Sequence, residues 1–144
     1  MACYLRVNGE NLDVDRLVTI AGLDDALDVI SIFRRGEPRF PNSQPDGPRN
    51  EQSGMSIRIS DAGFDEFDKQ IDEAILTLNE EREMILTLQS FDGVDEIGLD
   101  FGIDWRDCAA QFDHFPAELI RMCGALGLSI EVSHYPVSRN KPSK

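Results

Sequence analysis

A chain of 144 residues, 41% of them hydrophobic, suffices for one ordinary core and needs no metal or disulfide staple to fold. Its 27 acids against 14 bases give a formal net charge of −13, a sign that repels nucleic-acid backbones and anionic membranes and attracts basic proteins or metal cations. Setting aside the three bases of the tail after Pro136 (Arg139, Lys141 and Lys144) leaves 11 bases against 27 acids, or −16, over residues 1–136.

The first strand is expected over Cys3–Asn8, with Cys3, Leu5 and Val7 on one side and Tyr4, Arg6 and Asn8 on the other. A short helix follows, capped by Asp13, striped by Val14, Leu17, Val18 and Ala21, and stopped at Gly22. Leu23 is placed to fold back onto it in a Schellman-type ending. A second strand is expected over Asp28–Arg34. Residues 36–54, GEPRFPNSQPDGPRNEQSG, have four prolines, three glycines and no periodicity, and read as a flexible insertion in a single domain.

Met55–Ser60 alternates as a third strand. Asp61 precedes an amphipathic helix carrying Phe64, Phe67, Ile71, Ala74, Ile75 and Leu78, with Asn79 near its end. Glu80–Leu88 reads as a further helix, although MILTL within it also suits a strand. Ile97, Leu99, Phe101 and Ile103 alternate along the next strand. Asp104-Trp105-Arg106-Asp107 reads as a turn, and Cys108–Asp113 as a returning hairpin arm. Pro116 suits a first helical position. Leu119, Ile120, Met122, Cys123 and Leu126 line a helix ended by Gly127, before a last strand from Leu128 to Tyr135. Residues 137–144 are expected to be a disordered basic tail. The elements together predict a single α+β domain over residues 1–136, with a mixed or mostly antiparallel sheet, helices on one face and a loosely ferredoxin-like order.

Cys3, Cys108 and Cys123 are odd in number, match no zinc or redox spacing, and lie in segments of apolar pattern. Free buried thiols and a reducing cytoplasm are the reading. MACYLRVNGE has no basic region followed by an apolar run, so a signal peptide is not expected, and no apolar stretch approaches the ~20 residues of a membrane span.

The segments SGMSIRISDA, DKQIDEAILTL, SFDGVDEIGLDFGI and RDCAAQFDHFPAELIRMCGALGLSIEVSHYP resemble a family of small, uncharacterised bacterial proteins. Its pattern has an SG-strand-SDA segment, an LDFG strand, an FPxEL helix start and an LGL-strand ending. The resemblance covers roughly residues 53–136. It implies a bacterial, cytoplasmic α+β protein and no activity, because the shared residues are mostly glycines, prolines and core apolars.

Candidate contact residues fall into three groups. Asp100 joins Gln111, Asp113, Glu131, Ser133 and Tyr135 on polar strand faces, where carboxylates can converge on a hard cation or do acid/base work. Gly98 and Gly102 leave room beside Asp100; the plainer reading is a solvated face in which Arg6 and Arg58 pair with the acids. Trp105, in its turn, either folds back or anchors a partner. Arg34, Arg35, Arg39 and Arg49 are set to grip an anion bidentately or to neutralise the protein's own acids. His114 and His134 lack a metal-ligand pattern, and DFG at 100–102 lacks the rest of a kinase signature. No catalytic residue, metal ligand or cofactor site is assigned.

Two functions fit these observations. One is a non-enzymatic acidic domain that binds a basic protein, specifically an immunity-type protein neutralising a basic toxin. The other is a small-ligand binder or enzyme with a pocket between the sheet and residues 36–54, using Arg34, Arg35, Asp100 and Asp113. A third reading of the charge is solubility alone.

Overall fold

The computed structural model describes residues 2–136; the expected basic tail lies outside them. Strand β1 (Cys3–Gly9) alternates as expected, burying Cys3, Leu5 and Val7. Helix α1 (Val14–Ala21) starts where the Asp13 carboxylate accepts the Arg16 N–H at 3.2 Å, and it buries Val14, Leu17 and Ala21. Its ending departs from the Schellman form. Gly22 keeps φ −85°, the chain winds on through a 3₁₀ turn at Leu23–Asp25, and Leu23 is exposed while Leu27 is buried. Strand β2 (Asp28–Phe33) follows, with an irregularity between Val29 and Ser31 that breaks its alternation and leaves Ile32 exposed.

The 36–54 segment is not irregular. Strands β3 (Pro38–Phe40) and β4 (Gln44–Arg49) form an antiparallel hairpin in which Pro38 faces Arg49 and Phe40 faces Gln44. Backbone bonds from Gly36 N to the Asn50 carbonyl and from Asn50 N to the Glu37 carbonyl, each 2.9 Å, close its base. The Asn50 amide adds a bond to the Arg34 carbonyl. This ribbon buries almost nothing, so no side-chain alternation marks it. Its prolines are tolerated because a two-stranded ribbon has two outer edges.

Strand β5 (Ser53–Ser60) takes the last residues of that segment and is mostly buried. Helix α2 (Phe67–Glu80) begins six residues after Asp61, later than the apolar spacing implied. Phe64 lies ahead of it in a turn where the Glu66 side chain accepts the Gly63 N–H. Helix α3 (Arg82–Gln89) settles the 80–88 segment as helix, set off from α2 at Glu81. Strand β6 (Glu96–Trp105) carries its apolar residues Ile97, Leu99, Phe101 and Ile103 at alternate positions, and its middle, Leu99 to Ile103, is buried on both faces.

The expected return arm at Cys108–Asp113 does not form, and residues 106–116 are irregular. Pro116, in extended conformation, sits just before helix α4 (Ala117–Leu126), one position ahead of where it was expected. Gly127 (φ 72°) ends α4. The Leu128 N–H bonds the Cys123 carbonyl at 2.8 Å and the Gly127 N–H bonds that of Gly124 at 3.3 Å, a Schellman ending. Strand β7 (Ser129–Pro136) then runs parallel to β6. β6 therefore has β7 at its side, and the stretch after Trp105 serves as a crossover to α4.

The sheet order is β2-β5-β1-β6-β7, antiparallel except for β6–β7. The first four of these strands, with α1 and α2, reproduce a ferredoxin-like order; the β3–β4 hairpin extends the β2–β5 connection, and α4–β7 adds the fifth strand. Apolar sheet residues Leu5, Val7, Met55, Ile57, Leu99 and Phe101 pack with Leu17, Ile71, Leu78, Ile85, Leu88 and Leu119 of the helices. Of the core residues expected from the pattern, Leu5, Ile57, Ile71, Leu99, Phe101 and Leu119 are buried, and Phe67 and Ile130 are partly buried against them.

Phe101 sits edge-on to Phe67 and Phe115, with ring centroids 5.9 and 5.4 Å away. Phe101→Ala is expected to cost about 3–5 kcal/mol. Phe112→Ala, at a residue 87% exposed, is expected to change stability by less than about 0.5 kcal/mol. Chemical denaturation of the two variants checks the pair; similar losses would contradict the placement.

Candidate functional site

The fold separates the sequence-predicted contact residues into three places. The first is the sheet face away from the helices. Register sets Tyr4 opposite Asp100, and Asp100 opposite Glu131. Asp100 is only 3% exposed. Its oxygens are taken by the Arg6 guanidinium at 2.9 Å and by the Ser133 hydroxyl, which donates at 2.7 Å. Arg6 is half exposed and leans over the Tyr4 ring. Arg58 reaches Asp28 and Asp61 at 3.5 and 3.6 Å. Arg6 and Arg58 thus pair with Asp100, Asp28 and Asp61, in line with the plainer reading, but Asp100 is buried rather than solvated.

The room expected beside Asp100 is largely filled. A Cβ at Gly102 would meet the Phe64 ring at 2.9 Å, and Phe64 stacks on Tyr135 with centroids 4.6 Å apart. Over Gly98 a depression of about 200 Å³ remains, walled by Arg6, Asn8, Glu96, Asp100, Ser129 and Glu131. Asp113 does not join Asp100. Among the described residues no group of three or more His, Cys, Asp or Glu side chains is placed to hold a metal ion.

The second place is a groove of about 730 Å³ between the β3–β4 hairpin and the sheet, lined by Glu10, Phe33, Arg35, Arg39, Asn50 and Gln52. It lies where the ligand-binding reading put a pocket. Of the four arginines singled out in the sequence, only Arg35 and Arg39 line it. Arg34 turns to Asp15 in a bidentate contact at 2.6 and 3.1 Å, which holds the Asp15 carboxyl below its ordinary pKa. Arg35 is held by the Glu10 carbonyl, the Asn11 side chain and the Glu10 carboxylate. Arg49 donates to the Gly36 carbonyl at 3.0 Å.

The third place is the 105–116 crossover. Trp105 does not fold back: it is 65% exposed, and Phe112 is more exposed still. A cavity of about 310 Å³ is lined by Trp105, Gln111, Asp113 and His134, so two residues singled out separately in the sequence are brought together. Gln111 organises the segment. Its carbonyl accepts the Arg106 N–H at 2.9 Å; its amide donates to the Asp104 carbonyl at 2.8 Å and to Asp113 Oδ2 at 2.9 Å. Arg106 reaches Asp113 Oδ1 at 3.3 Å.

Sequence reasoning missed Phe112 and Gln70. Phe112 lies between polar residues, and its place in the alternation of 108–113 suggested a packed strand face rather than an exposed ring. Gln70 is fully buried on the inner stripe of α2, with Phe67, Ile71 and Ala74, and donates to the Gly63 and Gly102 carbonyls at 2.9 and 2.8 Å. That spacing was its only signal.

The two buried thiols, Cys3 and Cys123, are poorly suited to nucleophilic work. Burial, then the charge of Asp100, raises the Cys3 pKa, and burial pushes Cys123 up to about 11. Cys108, expected in the core, is exposed on the crossover because no hairpin arm forms there, and its sulfur meets the Arg106 and Ala110 carbonyls. No helix among the described residues is long and apolar enough to cross a membrane. No described protein family, curated protein or solved structure matches the chain.

Three outcomes are expected. Arg6→Met should destabilise more than Asp100→Asn, because it strands a buried carboxylate whereas the reverse change leaves an arginine that water already reaches. The loss for Arg6→Met should be about 2–4 kcal/mol; an inverted order in urea titrations would show that the pair does not carry the face. Of the three thiols, Cys108 alone should react quickly with a maleimide in native protein, and Cys108→Ser should remove that reaction. For Cys123, a folded pKa raised above the ordinary thiol value of 9.0 means its stabilisation is complete below pH 9 and fades as pH rises toward 11.

Proposed function

We propose that this chain is a non-enzymatic acidic protein-binding domain, of the immunity type, that occupies and neutralises a basic toxin in a bacterial cytoplasm. The observation that carries this reading is the crossover surface. Trp105 and Phe112 stand exposed there beside Asp104, Asp107 and Asp113, on a chain of net charge −13. Large aromatics held in solvent supply contact area to a partner at small conformational cost, and tryptophan is among the residues most enriched at binding hot spots. The surrounding acids would speed encounter with a basic protein. The resemblance to small bacterial proteins is consistent with the setting.

A second reading has one observation behind it. The groove under the hairpin presents Arg39, whose guanidinium has no partner among the described residues, next to the Phe33 ring. A small anion with an apolar part is the ligand such a groove would take.

Affinity purification from the source organism, followed by stopped-flow association with the recovered basic protein, tests the first reading. Reversing Asp104 and Asp107 to lysine should slow association and flatten its salt dependence. Trp105→Ala should chiefly speed dissociation, with a loss of about 2 kcal/mol or more. An association rate indifferent to salt and to charge reversal would reduce the acidity to a solubility device. Recovery of no stoichiometric basic partner under several growth conditions would sink the reading.

A further inference from the structure

We propose that the cavity between Trp105, Gln111, Asp113 and His134 receives an arginine side chain of the basic partner. The inference rests on the protein-binding reading and names its central contact. A guanidinium is planar, offers several donors in a fixed fork, and stacks on aromatic faces. It therefore asks for a π surface and a carboxylate a few ångströms apart. Trp105 supplies the surface: its indole is largely exposed and has no ring or hydrogen-bond partner among the described residues. Asp113 supplies the carboxylate and lines the same cavity of about 310 Å³.

The carboxylate is sheltered and oriented in advance. The Asp113 side chain is 16% exposed, so its charge is screened less than that of a surface acid. Gln111 holds Oδ2, while Gln111 itself is fixed by bonds at both ends of its amide. Each carboxylate oxygen has two lone pairs, so one hydrogen bond apiece leaves Asp113 able to accept more. Its contact with Arg106 is a single one at 3.3 Å from a side chain that is 45% exposed, a weak and exchangeable pair. Arg106 shows that a guanidinium reaches this carboxylate, and its side chain has no other hydrogen-bond or ion-pair partner among the described residues.

The surroundings favour a cation. Residues 104–113 contain three acids and one base, and the Asp104 and Asp107 carboxylates make no ion pair among the described residues. A lysine would satisfy the charge but not the stacking plane, because its ammonium is a compact, strongly hydrated point charge. Cation–π attraction to tryptophan adds to the charge term where water is partly excluded.

The chain contains one tryptophan, so its fluorescence reports on this cavity alone. The probe is a short capped peptide of three arginines separated by glycines, compared with the same peptide carrying citrulline or lysine. The arginine peptide should give a saturable change in Trp105 emission. The citrulline peptide, equal in shape but uncharged, should bind at least ~10-fold more weakly, the usual worth of a charge-assisted hydrogen bond. The lysine peptide should fall between them. Asp113→Asn should weaken arginine binding ~10-fold, whereas Glu131→Gln, an equal charge change on the open sheet face, should alter it less than ~2-fold. With a dye-labelled peptide followed by anisotropy, Trp105→Phe should retain most of the binding and Trp105→Ala should lose it; this pair serves if Asp113→Asn misfolds by circular dichroism. An equal response to citrulline, or equal effects of Asp113→Asn and Glu131→Gln, would overturn the assignment. If a captured basic partner binds Trp105→Ala as tightly as the parent, the pocket falls and the protein-binding reading stands. If no basic protein binds at all, both fall.

Discussion

Asp100 is the one charged side chain fully buried among the described residues, and much of the sheet's arrangement answers to it. Removing a carboxylate from water costs several kcal/mol unless opposite charge and hydrogen bonds meet it. Here the compensation comes from both neighbouring strands. Arg6 of β1 supplies the charge and Ser133 of β7 supplies a hydroxyl. A slip of either strand by one residue would carry its partner to the other face and leave the carboxylate bare. The pair therefore acts as a register lock across β1, β6 and β7. It matters most for β7, a strand with one hydrogen-bonded neighbour whose apolar residues are only half buried.

On the same face the basic side chains are engaged with neighbouring acids. Asp100 is met by the Arg6 guanidinium and the Ser133 hydroxyl, and Arg58 spreads itself over Asp28 and Asp61. Phe64 fills the space over Gly102 against Tyr135. On the hairpin side, Arg34 and Arg35 are spent on Asp15 and Glu10. Most of the basic side chains that look available in the sequence are used internally, which leaves the excess acid facing outward.

How much of this was legible depended on whether burial wrote a pattern into the residues. Where one face packs on the helices, as in β1 and β6, period-two alternation placed the strands to within a residue or two. The inner face of α2 was readable for the same reason, although Gln70 hid there because it satisfies backbone carbonyls rather than apolar contacts. The hairpin at 38–49 left no pattern because its backbone ladder forms in water with its side chains outside. Gly22 and Gly127 look alike in sequence, each followed by leucine. They end their helices differently, because Gly127 adopts φ 72° and lets Leu128 turn back into the core, while Gly22 stays right-handed. The alternation of residues 108–113 suggested a hairpin arm. The decisive fact was β7, a non-local pairing that no window around Cys108 contains.

That pairing also generates the candidate site. Had the chain returned from Trp105 as an antiparallel arm, a short turn would have sufficed and the tryptophan could have folded onto the sheet. A parallel strand needs a crossover instead, and parallel neighbours cannot be joined by a tight hairpin. The chain must leave the end of β6, travel to the start of α4, and return through the helix to lie beside β6 in the same direction. Residues 106–116 make that journey without a backbone ladder, so side chains must hold them. Gln111 does so by bonding the backbone at Asp104 and Arg106 and the carboxylate of Asp113. With the segment fastened at its middle, Trp105 on one side and Phe112 on the other are left in solvent, and Asp113 is drawn in beside the indole. An exposed aromatic and a sheltered carboxylate are thus direct consequences of how the fifth strand is added. The surface most suited to a partner lies at the place where the fold departs from the simpler four-stranded arrangement.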